Sequence, residues 1–276
     1  MEPIILPSKI EIKKGKNPNE ATVTVEPCYY GYGTTLGNAI RRVILSSLPG
    51  AAATAVKIKG VQHEFSTIPH VKEDVVEILL NLKQLRLKVF STEPVRLVLK
   101  AKGEKEATAD DILESSDVEI INKDLHIATL TNKNADLEME IFVSQGRGFL
   151  PVEAREKEKL ELGAIAIDSI FSPIKNIGYK VENVRVGDIT NYDRLVIDIE
   201  TDGTITPEDA LKQSVQILID HFNLFLTGPG KEVEVEKKAL IEEKVEKEAE
   251  EAPSEEEAPV EDKAKKKRGR PKKVKS

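Results

Sequence analysis

The stretch TTLGNAIRRVILSSLPG, residues 34–50, decides how the chain is read. Leu36, Ile40, Val43, Ile44 and Ser47 recur at helical spacing and Pro49-Gly50 ends the run, so a helix is predicted over 34–47. These residues make its main face. Leu45 lies nearly opposite them, between Arg41 and Arg42 and one turn beyond Asn38. Two readings stay open: a single exposed leucine between solvated arginines, or a second face that something else covers.

A later helix repeats the ambiguity. Thr206 stands at the N-cap, Pro207 at the first helical position and Asp209 three residues after the cap. Leu211, Val215, Leu218, Phe222 and Phe225 then form a four-three-four-three stripe that ends at Gly228-Pro229-Gly230. Ile217 and Leu224 fall off that stripe and would be exposed on a one-sided helix. Two helices with apolar residues on two sides suggest a core on one and a dimer interface on the other.

Ile10 and Ile12 alternate as a strand does, as do Val23 and Val25, with the turn-prone KKGKNPNE between them, so a hairpin is expected. Further strands are predicted at 55–61, 85–90, 95–100, 117–121, 125–130, 137–143, 177–186 and 194–200, and a short helix at 71–83. Those at 117–143 are expected to share an antiparallel sheet. The fold class is α+β.

The 276 residues are 39% hydrophobic and 32% charged, with 4% aromatic and no Trp, so the core must be chiefly aliphatic. No run approaches the ~18 apolar residues of a membrane span and no leader pattern opens the chain, which reads as cytoplasmic with no membrane partner. The single cysteine, Cys28, excludes an internal disulfide and any multi-cysteine metal site. The net charge of -7 conceals an asymmetric end. Residues 231–262 carry 14 acidic and 5 basic side chains and read as a disordered acidic linker, whereas residues 263–276 carry 9 basic and no acidic ones.

Catalytic constellations are missing from the pattern. His63, His70, His126 and His221 are scattered, no D-x-D cluster is present, and no metal or cofactor is expected on this chain. The loop at 31–37, GYGTTLG, opens a helix and in principle presents N–H groups to a phosphate. It lacks a P-loop lysine, and the competing reading is a tight turn with close packing at Gly37.

The runs VEPCYYGYGTTLGNAIRRVILSSLPGAAATAVKIKGVQHEFSTIPHVKEDVVEILLNLK (25–83), DVEIINKDLHIATLT, GRGFLPVEAR, FSPIKNIGYKVENVRVG and DRLVIDIETDGTITPEDALKQSVQIL resemble the alpha-subunit family of bacterial RNA polymerase over residues 1–228. The resemblance implies a non-catalytic scaffold of a DNA-directed RNA polymerase, a nucleotidyltransferase. It implies a dimerisation domain from 1–50 and 170–230, with an inserted, mainly β domain at 51–169. It implies a homodimer through Leu36, Ile40, Val43, Ile44, Leu211, Val215, Leu218, Phe222 and Phe225. The beta subunit is expected at Arg41, Arg42, Leu45, His63 and Ser66, with 146–155 nearby, and beta-prime at Val184, Arg185 and Arg194. Omega, and sigma in the holoenzyme, complete the implied partners.

The family's usual C-terminal DNA-binding domain is not expected within residues 231–276, which lack the apolar periodicity it needs. In its place KAKKKRGRPKKVKS resembles an AT-hook, with Arg268, Gly269, Arg270 and Pro271 as its core. Glycine lets the backbone lie deep in the minor groove while the arginines reach its negative floor. The alternative is a basic solubilising tail. Two rivals to the scaffold also stand: a free-standing architectural DNA-binding protein, and an enzyme using the 31–37 loop for a nucleotide.

Overall fold

The computed structural model describes residues 4–155, 161–187 and 189–228. Of these residues, 4–222 belong to one unit and 223–228 to another. The readings of 231–262 and 263–276 lie outside the described residues.

The expected hairpin is formed by β1 (Lys9–Lys14) and β2 (Glu20–Cys28), with Ile10 opposite Val25 and Ile12 opposite Val23. Helix α1 (Tyr32–Ser47) follows, then β3 (Pro49–Ile58), α2 (Val75–Leu82), β4 (Leu87–Val89), β5 (Val95–Lys102), β6 (Lys105–Thr108) and β7 (Val118–Ile120). Next come β8 (His126–Leu130), β9 (Asp136–Arg147), β10 (Phe149–Leu150), β11 (Ala164–Ala166) and β12 (Ser169–Ile170). The long hairpin β13 (Ile174–Val186) and β14 (Ile189–Thr201) leads into α3 (Pro207–Thr227), completing an α+β fold.

Both ends of the first unit meet in one antiparallel sheet of order β1-β2-β14-β13. α1 packs across β13 and β14, which it can approach closely because its inward positions are small. A Cβ at Gly37 would fall 2.6 Å from the Tyr179 ring and 2.8 Å from Leu195. Ile44, Leu48, Leu195, Ile197 and Ala210 fill the cluster beneath. A larger cluster, built from residues 53–167, lies around the second main sheet, β11-β3-β9-β5. Strands β7 and β8 do not join that sheet as expected. They pair instead with β4 and β6, because each three- to five-residue run finds its partner in a neighbouring short strand.

The links between the two clusters run side by side. A Cβ at Gly50 would meet the Phe171 carbonyl oxygen at 1.8 Å, so only glycine fits there. The loop from β3 to α2 is stitched along β8. The Lys72 N–H donates to the Thr129 carbonyl, and the N–H and hydroxyl of Thr131 both donate to the His70 carbonyl at 2.9 and 3.1 Å. His70 holds a positive φ of 65°, unusual outside glycine. Residues 71–73, expected in a helix, are in this seam. The helix starts at Val75, capped by Asp74, whose side chain accepts the Glu77 N–H.

Candidate functional site

α1 presents two faces. Gly33, Gly37 and Ile44 are buried against the sheet, and Ile40 packs beside them. Leu36, Arg41, Arg42 and Leu45 are exposed, Leu45 at 41%. Among the described residues neither Arg41 nor Arg42 forms an ion pair. Two charged forks and a leucine therefore stand together on one surface, free to meet a partner. Ile44, one of the residues expected at the dimer interface, is 0% exposed and packs in the chain's own core.

α3 turns its small residues, not its apolar stripe, toward the core. Thr206 does cap it, its hydroxyl accepting the Asp209 N–H and donating to the Asp209 carboxylate at 2.7 Å. The line turned inward is Ala210, Ser214 and Ile217, whereas the apolar stripe is only partly covered at Leu211, Val215 and Leu218. It is open at Phe222 (60%) and Phe225 (86%). Of the two residues off the stripe, Ile217 packs on the core and Leu224 is exposed.

His63 and Ser66 face one another at 3.1 Å in the β3–α2 loop, beside the exposed Phe65. Among the described residues no hydrogen bond or ion pair joins them to α1. Val184 lies on β13, where the Arg185 side chain donates to the Gly187 carbonyl. Arg194 is engaged within the sheet, donating to Glu26 and standing 3.6 Å from Glu182. The Arg194 guanidinium, aided by Lys9, holds the Glu26 carboxyl below its ordinary range.

In the 146–155 segment the Arg155 guanidinium donates to the carbonyls of Thr54 and Ile167 and lies 3.3 Å from the Ser169 hydroxyl. Asp168 accepts the Val152 N–H and pairs with Lys83 at 3.1 Å, and these two hold its carboxyl below the usual range. Lys83 also lies 5.8 Å from the Phe149 ring centre. Sequence reasoning passed over Lys83, Asp168 and Glu73, which carry no motif. It also passed over Asp193, whose carboxylate occupies the Gly31 and Gly33 N–H groups of the loop weighed above for a phosphate. Arg268, Gly269, Arg270 and Pro271 lie outside the described residues.

Among the described residues no group of three or more His, Cys, Asp or Glu side chains is arranged for a metal ion. No helix among them is long and apolar enough to cross a membrane. Residues 56–172 match the family model for the RNA polymerase Rpb3/RpoA insert domain. The chain is 46% identical over 242 residues to the DNA-directed RNA polymerase subunit alpha of Oceanobacillus iheyensis, covering 86% of this chain and 77% of that protein. With the protein of the same name from Symbiobacterium thermophilum it shares 53% over 213 residues, covering 76% and 67%. With that of Alkaliphilus oremlandii it shares 52% over 204 residues, which span 74% of this chain and 64% of the relative's length. The chain belongs to the family of DNA-directed RNA polymerase alpha subunits.

Proposed function

We propose that this chain homodimerises and scaffolds the beta and beta-prime subunits of a DNA-directed RNA polymerase, leaving nucleotide addition to those chains. The observation that carries the reading is the outward face of α1, where Arg41 and Arg42 flank Leu45 without an ion pair among the described residues. Unpaired arginines around an apolar anchor are typical of an interface hot spot. The open stripe of α3 supplies the dimer contact, since each Phe or Leu removed from water there contributes about 1.5–3 kcal/mol. Residues 1–50 and 170–230 form the dimerisation domain in this reading, and 51–169 the insert. Omega and sigma join the assembly, while Val184, Arg185 and Arg194 lie on the beta-prime side.

Co-expression with the beta and beta-prime subunits of the same organism tests it. Affinity capture of this chain should yield two copies per beta and beta-prime, and an RNA product on a DNA template. Capture of this chain alone would overturn the reading.

The tail adds a second binding activity in this proposal, carried by Arg268-Gly269-Arg270-Pro271 among nine basic side chains. The positive charge supplies a salt-dependent phosphate attraction, and the arginines favour the narrow minor groove of A/T-rich DNA. Fluorescence anisotropy should show tighter binding to an A/T-rich than to a G/C-rich duplex, with the preference lost in the Arg268→Ala, Arg270→Ala double variant. Equal affinity of the wild-type chain for both duplexes would reduce the segment to a charged appendage.

A further inference from the structure

α1 begins without an acid of its own. Its first turn carries no Asp or Glu, and its N-cap is Gly31, in the left-handed region at φ 82° and without a side chain to accept a hydrogen bond. A helix start leaves N–H groups unpaired and a partial positive charge. Here the compensation comes from β14. Asp193 is 4% exposed, and its Oδ2 accepts the N–H of Gly31 at 3.0 Å and that of Gly33 at 3.1 Å. Among the described residues it forms no ion pair, so the helix start is the main positive partner of a buried carboxylate.

The surroundings are shaped for this contact. The β2–β14 ladder shifts register between Asp193 and Leu195, an irregularity of the kind that re-aims a side chain. Gly33 leaves the room: a Cβ there would stand 2.9 Å from Val181 and 3.0 Å from Asp193 Oδ2. The remaining anchors of α1, at Ile40, Ile44 and Leu48, are apolar. Apolar packing sets how far the helix lies from the sheet but is non-directional, whereas two hydrogen bonds to one oxygen fix where it starts and how it is rotated.

We propose that Asp193 is a positioning residue for subunit docking: by capping α1 from β14 it fixes the rotation of the helix and so the direction in which Arg41, Arg42 and Leu45 face their partner. This rests on the reading of that face as the surface for the beta subunit.

The test uses the full chain as wild type, Asp193→Asn, and Ile44→Val, which weakens the same helix without touching the cap. Hydrogen exchange across the first turn of α1, sedimentation, and capture of the beta subunit of the same organism are measured for each. Asp193→Asn should speed exchange in that turn and weaken beta capture, each about tenfold, the scale of a carboxylate at a helix start. It should keep the dimer and leave exchange in β5 and β9 unchanged. Ile44→Val should lose global stability while retaining first-turn protection and beta capture.

Unchanged first-turn exchange in Asp193→Asn, or equal loss of capture in the two variants at equal destabilisation, would overturn the proposal. If Asp193→Asn fails to fold, scalar coupling across the hydrogen bonds from the Gly31 and Gly33 nitrogens to the Asp193 carboxyl carbon in the wild type decides, and its absence overturns it. Failure of the wild type to capture beta would instead sink the docking reading, leaving the exchange data to judge the cap.

Discussion

Glu73 and Thr129 are joined twice: the Thr129 N–H donates to Glu73 Oε2 at 2.6 Å and its hydroxyl to Oε1 at 2.8 Å. His126 Nε2 lies 3.1 Å from the same Oε1. Burial pushes the carboxyl up, but the two Thr129 donors and His126 outweigh it and hold the group below its ordinary value of 4.5. Because the folded-state value is depressed, the stabilisation is fully present above that ordinary value and is lost as pH falls through the folded one. Urea titrations from pH 7 down to the acid limit should show the wild-type chain losing this increment. Glu73→Gln should be less stable at pH 7 by about 1–3 kcal/mol and show a flatter acid limb. Parallel pH curves for the two chains would contradict the assignment.

Gly37 should not tolerate a methyl group. Gly37→Ala forces the added carbon into the Tyr179 ring and Leu195 and should cost about 1–3 kcal/mol, read as a lower midpoint in chemical denaturation with an unchanged slope. No change in midpoint would mean that α1 stands further from the sheet than these contacts require.

Phe222→Asp should leave the fold of the chain intact, since the ring is exposed, while placing a charge in the proposed apolar dimer contact. Sedimentation at micromolar concentration should report monomer with wild-type circular dichroism. A persisting dimer would move the interface elsewhere.

Arg42→Ala should retain both the dimer and the melting behaviour, because the side chain is exposed and holds no ion pair among the described residues. Capture of beta should weaken by about 1–4 kcal/mol. Undiminished capture would remove Arg42 from the contact.

Periodicity located α1 and α3 and paired β1 with β2, because alternation and helical spacing are local properties of the chain. It placed the α3 stripe without revealing which side turns inward. The buried positions Ala210 and Ser214 are small and carry little hydrophobic signal, although they admit the closest approach. Pro49-Gly50, a stop in the helical pattern, also opens β3, since Leu48 is already extended. The supports of the candidate site were out of reach for another reason. Gly31 and Asp193 are 162 residues apart and Glu73 and Thr129 are 56 apart, and nothing short of the folded topology brings either pair together.

The contact between Gly50 and Phe171 bears on how such a chain can change over evolutionary time. Residues 51–170 leave and re-enter through a single doorway, so closing the gap in their absence would need only a short turn. That excursion can lengthen, shrink or be exchanged for another while the β1-β2-β14-β13 sheet keeps its register. The doorway itself has no such freedom: any side chain at position 50 would have to displace a backbone carbonyl.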